Sequence, residues 1–165
     1  MFRSKLFIVF AVFSFIFVIT MFDCVLAGEK IKTHGTSFTT DWQQIKVGDE
    51  EGHILGIQQS TQVYINEISG EKYVSTATNS FDINPKKGYF TMNGYGVTTD
   101  QEGNQLIRKT KGKPVGKGHW KGTTTYIKGT GKYEGVKGSG IWESWSLTPK
   151  INYIEAESEW DIPKN

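Results

Sequence analysis

Apolar residues open the chain as one block and then give way to alternation. Leu6 to Phe22 is apolar throughout apart from Ser14 and Thr20. From Gly28 onward no window carries apolar residues at helical spacing, and period-two patterns recur instead. The alternation predicts strands over residues 31–47, 53–68, 73–83, 89–99, 105–110, 120–127, 138–147 and 151–160. Gly35 is expected to mark a bulge or bend in the first of these. Val63, Ile65 and Ile68 are the apolar members of the second. In the last, Glu155, Glu157 and Glu159 share one face and Ile154, Ala156 and Trp160 lie on the other. Turns fall at 49–52, 69–72, 84–88 and 100–104, and residues 111–118 read as a basic loop around Pro114.

About eight strands joined by short glycine-containing turns imply an all-β meander. Closing such a sheet into an antiparallel barrel removes its edges, and eight strands enclose room for side chains or one small guest. A two-sheet β-sandwich is the alternative arrangement of the same strands.

The apolar block changes the picture of where the chain resides. Arg3 and Lys5 precede it, and Val25-Leu26-Ala27 follows with small or branched residues at the positions a signal peptidase reads. That order is the secretory signature. It divides the chain into a signal peptide, residues 1–27, and a single β domain, residues 28–165, secreted or periplasmic after cleavage following Ala27. Retention as a membrane anchor is the competing outcome, and the apolar run sits at the short edge of a spanning helix. A lipoprotein is a third outcome because of Cys24, although Met21-Phe22-Asp23 lacks the small residues such a site wants. Membrane contact is expected only through this segment.

Composition then narrows the chemistry. Cys24 is the single cysteine, so a cleaved domain has neither a disulfide nor a thiol nucleophile. Seven of the ten phenylalanines lie in the first 27 residues, whereas all nineteen glycines, five tryptophans and seven tyrosines lie beyond them. Aromatics with frequent glycine favour strands and tight turns. The formal net charge of the whole chain is +2, which gives no field suited to nucleic acid.

The most distinctive stretch is Gly129-Thr130-Gly131-Lys132-Tyr133-Glu134-Gly135-Val136-Lys137-Gly138. A phosphate loop would need a helix after it. The β-like Ser139-Gly140-Ile141-Trp142 follows instead. The glycines Gly129, Gly131, Gly135 and Gly138 read as a tight corner at a barrel end, with Tyr133 plugging the core. This stretch, with Trp120-Lys121-Gly122-Thr123-Thr124-Thr125-Tyr126 before it and the turn at Asp100–Asn104, resembles the allene oxide cyclase barrel-like family. That family has calycin-like barrels, is related to the dirigent proteins, and includes small exported bacterial proteins. The resemblance covers residues 90–147 best and implies an eight-stranded antiparallel barrel with a central cavity. The cyclases use a glutamate, asparagines and a cysteine in their cavity. No residue of this chain matches these one for one, so no catalytic residue is carried over.

The remaining chemistry is sparse. Asp100-Gln101-Glu102-Gly103-Asn104 has the start of a calcium loop, but Lys111 stands where its twelfth-position acid belongs, so a hairpin turn is expected. His34, His53 and His119 have no metal-ligand spacing, so neither metal nor cofactor is expected; His119 reads as a loop residue near solvent. Lys109, Lys111, Lys113, Lys117 and Lys121 form a basic run that reads as solvated surface.

Trp120, Tyr126, Trp142 and Trp145 are the candidate lining of a cavity. Trp120, Gly122, Thr124 and Tyr126 share one strand face, whereas Trp142 and Trp145, three residues apart, must face opposite ways. The leading expectation is a non-catalytic barrel that binds a small apolar molecule. An isomerase or cyclase and a structural or interaction protein at the cell surface are the alternatives. An open pocket with a buried acid would favour chemistry, one without it carriage, and a solid core the third reading.

Overall fold

A computed structural model describes residues 28–163. The eight strands run β1 Glu29–Lys46, β2 Ile54–Asn66, β3 Lys72–Asn84, β4 Tyr89–Thr99, β5 Gln105–Gly116, β6 His119–Gly129, β7 Lys137–Ser146 and β8 Ile151–Asp161. They form a closed antiparallel barrel in chain order, which rules out the sandwich. Closure is made by β1, an 18-residue strand. Its first half pairs with β8, from Glu29 opposite Trp160 to Phe38 opposite Ile151. It also pairs with β2, from Thr33 opposite Asn66 to Lys46 opposite Ile54. Beyond Phe38 the β1–β2 hairpin therefore overhangs one end of the barrel. The predicted cleavage point and Cys24 lie outside the described residues.

The other end is plugged. Ile31, Leu106, Tyr133, Val136 and Trp160 form a buried apolar cluster there. The Trp160 ring meets Tyr133 at 5.6 Å and Tyr126 at 5.3 Å, both edge to face, an arrangement aromatic quadrupoles favour. Tyr133 comes from a single 3-10 turn, Gly131–Tyr133, between β6 and β7. Gly131 and Gly135 hold φ of +56° and +76°, which side-chain-bearing residues avoid. A Cβ on Gly129 would meet the Tyr133 backbone, so the corner closes on itself only because that position is bare.

Charge reinforces the same end. The Asp100 side chain has no solvent exposure. It accepts from the backbone N–H groups of Glu102 and Asn104 at 2.9 Å each, and from Asn104 Nδ2 at 3.0 Å. Lys132 reaches it at 3.0 Å and also contacts Glu71 at 2.8 Å. Burial works against the Asp100 charge, but the hydrogen bonds from Asn104 and Lys132 outweigh burial and hold the carboxyl below the usual carboxylate range. The Asp100–Asn104 segment is thus a hairpin turn tied to the glycine corner.

Several expectations are corrected. Residues 111–116 are strand, not loop: β5 continues to Gly116 with Lys109, Lys111 and Lys113 exposed and Thr110, Gly112 and Pro114 turned inward. Pro114 sits at a register irregularity next to Gly116, where its missing N–H is tolerated. Gly35 pairs regularly, and the bulge lies at Thr39–Asp41. A Cβ at Gly35 would strike the Val63 carbonyl and the Tyr64 ring, so this glycine serves close approach, not bending. Val63, Ile65 and Ile68 are exposed, while Gly56, Ser60, Gln62 and Asn66 are the buried members of their segment. The interior of β2 is polar because it does not pack against a core; it faces a cavity. His119 begins β6 instead of lying in a loop, and its Nε2 is 2.9 Å from Glu143.

Candidate functional site

The barrel interior is hollow between the overhanging end and the plug. Its cavity measures about 760 Å³, within the range of small-molecule pockets. Pro149 and Lys150 of the β7–β8 turn lie at one end of its lining, and Leu106 and Trp160 of the plug lie at the other.

Trp120, Thr124 and Tyr126 share the inward face of β6 and line this lumen. Trp142 lines it as well. Trp145 does not: it stands on the outer face, stacked on His119 at 4.9 Å and near Tyr153 at 6.0 Å. The three-residue spacing within one strand forces this split. Gly129, Gly131, Tyr133, Gly135 and Gly138 belong to the corner at the plug, not to the lumen wall.

Flat side chains lie against the lumen wall over bare backbone. The Trp142 indole covers Gly112 and Gly122, and its Nε1 donates to Thr110 Oγ1 at 2.9 Å. The Trp42 indole lies over Gly56, and the Arg108 guanidinium lies over Gly96. Glycine on the inward face thus removes Cβ atoms that would push each plane into the cavity. Tyr126 is held to the wall by a 2.9 Å hydrogen bond between its hydroxyl and Ser158 Oγ.

Aromatics narrow the mouth. Phe81 contacts Trp42 at 5.3 Å and Trp120 at 5.7 Å, edge to face in both cases. Phe81 is on β3 and Trp120 on β6, three strands round the barrel, so this chain of rings reaches across the opening. Trp42 comes from the β1–β2 overhang and is 39% exposed.

Polar groups occupy the wall of the chamber. Gln58, Ser60, Gln62, Asn79 and Thr98 line it alongside the aromatics. The charged residues in the lining are Asp41 and Lys150, both exposed near the mouth, and Arg108. Burial pushes the Tyr73 phenol up to about 12 and that of Tyr64 upward as well. Both stay neutral near neutral pH. No carboxylate lines the chamber below the mouth among the described residues.

Sequence reasoning passed over Trp42, Phe81, Gln62 and Arg108. For Arg108 a signal existed: it shares parity with Leu106 and Thr110, opposite to Lys109, Lys111 and Lys113.

No family model and no curated protein matches this chain. Solved structures do. The pterocarpan synthase dirigent protein PsPTS1 superposes with a TM-score of 0.52 at 9% identity, covering 84% of this chain and 99% of that one. The pterocarpan synthase dirigent protein GePTS1 superposes with a TM-score of 0.53 at 9% identity, covering 84% and 93%. At this identity the likeness shows the fold: an eight-stranded barrel of the dirigent type. Among the described residues, no group of three His, Cys, Asp or Glu side chains is placed to hold a metal ion, and no helix is long and apolar enough to cross a membrane.

Proposed function

We propose that this chain is an exported barrel of the allene oxide cyclase barrel-like group that binds one small ring-bearing molecule in its lumen without transforming it. The observation that carries the reading is the open chamber, walled by Trp120, Tyr126 and Trp142, with Asp41 at the exposed mouth as its lining acid. Proton abstraction in such a chamber calls for a base within hydrogen-bond reach of the substrate and with a suitable pKa. The phenols of Tyr64 and Tyr73 are shifted the wrong way for that task. Rings held flat on the wall, with side-chain amides and hydroxyls between them, suit binding of an aromatic or fused-ring guest with polar substituents. Export rests on the charged start, apolar run and Val25-Leu26-Ala27 exit.

The test is a fluorescence titration with the neutral probe N-phenyl-1-naphthylamine. Saturable binding is expected, and Tyr126→Ala should weaken it by roughly two- to tenfold, the scale of one lost aromatic contact. A titration that never saturates overturns the reading.

A further inference from the structure

Among the described residues, the lumen below its mouth holds one charged side chain, with no opposite charge paired to it. Arg108 leaves β5 on the same face as Leu106 and Thr110 and lies over Gly96, where a Cβ would come 2.8 Å from the guanidinium carbon. Nη1 donates to Ser75 Oγ at 3.0 Å and to Thr98 Oγ1. Nη2 donates to Gln62 Oε1 at 2.8 Å. Every one of these acceptors is neutral. The Tyr64 ring lies 5.9 Å from the guanidinium carbon and offers only its quadrupole. Among the described residues no ion pair involves Arg108.

A guanidinium keeps its charge at any ordinary pH. Arg108 is half-buried on the chamber wall and has no counter-ion beside it. It has five N–H donors, and the three hydrogen bonds above leave Nε and one Nη2 donor without an acceptor among the described residues. A further polar atom lies nearby in the chain: Ser60 Oγ, on the same face of β2 as Gln62, is buried with no partner. Nearer the mouth, Thr110 holds the Trp142 indole. Thr110 is two residues from Arg108, about 7 Å along the strand. A charged donor and a flat apolar wall are therefore separated by about the length of one ring with its substituent.

We propose that Arg108 anchors the anionic group of the lumen's guest, which makes that guest a ring-bearing organic anion with its acidic group toward Arg108 and its ring against Trp142. This rests on the binding reading above. Arg108 has been shaped for this by Gly96, which lets the guanidinium lie on the wall, and by neutral acceptors that orient it without cancelling its charge.

Two dyes with one skeleton test the proposal: neutral N-phenyl-1-naphthylamine and its 8-sulfonate. The sulfonated dye should bind the wild type more tightly than the neutral one. Arg108→Gln should weaken the sulfonated dye about tenfold or more, the scale of a charged hydrogen bond, and change the neutral dye less than twofold. Arg108→Lys, which keeps the charge, should restore part of the loss. If Arg108→Gln weakens both dyes alike, or neither, Arg108 is a structural residue and the proposal falls while lumen binding stands. If the wild type binds neither dye, the lumen reading falls and takes this proposal with it.

Discussion

The indole of Trp142 lies over Gly112 so closely that a Cβ built on the glycine would come 2.6 Å from the ring. The two residues sit on strands β7 and β5, with Gly122 of β6 between them. Width in this lumen thus depends on what three strands leave out as much as on what they carry. Gly112→Ala should force the indole inward, destabilise the barrel by about 1–3 kcal/mol as overpacking does, and weaken binding of a neutral naphthyl probe. Denaturant unfolding and probe titration on the same variant check both effects. Unchanged stability with unchanged probe affinity would show that the ring has free space behind it.

Gly135 tests the corner at the plugged end. Its φ is +76°, and a Cβ there would meet Pro163 Cγ at 3.0 Å. Gly135→Val should cost at least about 1–2 kcal/mol from backbone strain alone and lower the Tm by several degrees. A thermal melt followed by circular dichroism reads this directly. An unchanged Tm would mean that the corner adjusts at no cost.

Asp100 joins the β4–β5 turn to Lys132 in that same corner. Asp100→Ala leaves two backbone N–H groups and the Lys132 ammonium without their shared acceptor, and should destabilise by about 3 kcal/mol. Because its folded pKa lies below the ordinary value, the contribution of Asp100 is present above the unfolded pKa of about 3.9. It is lost only as pH falls through the lower folded value. The stability gap between wild type and Asp100→Ala should therefore be full at pH 6 and shrink as pH falls below 4. Denaturant unfolding across that range supplies the measurement, and a gap that stays constant would contradict it.

His53 gives the opposite sign at the mouth end. Its Nδ1 lies 2.6 Å from Asp49 Oδ1 and its Nε2 lies 3.0 Å from Asp82 Oδ1, so both nitrogens can donate only in the imidazolium form. The hydrogen bond to Asp49, then that to Asp82, raises its pKa above the ordinary value. A raised folded pKa makes the stabilisation complete below the unfolded pKa of about 6.5. It is lost as pH rises through the folded value. The Tm of the wild type should fall relative to His53→Gln as pH climbs from 6 through 8. Parallel Tm profiles for the two proteins across that interval would show that the imidazolium adds nothing.

The strand pattern carried most of the fold because each strand alternates and each hairpin turn is short. Residues 89–99, expected as one strand, are β4 from end to end. Alternation alone did not say which face of each strand turns inward. In β2 the apolar residues face out, because that stretch borders a hollow lumen instead of a packed core. Lys111, Gly112, Lys113 and Pro114 looked like breakers, yet their parity is regular: lysines out, bare or compact residues in. The split of Trp142 from Trp145 was legible from spacing alone. The contacts of Phe81 with Trp42 and Trp120 were not, because they join strands distant in sequence across the opening. Arg108 was legible only through its parity, since one arginine in a lysine-rich strand reads as surface until the neighbouring strands close around it.

The most direct measurement is a crystal structure of the protein with N-phenyl-1-naphthylamine bound. The account predicts one probe inside the barrel, its rings against Trp142 and Trp120 and the Gly112 wall. Probe density confined to the outer face at Ile57 and Tyr95, or a barrel interior filled by its own side chains, would contradict it.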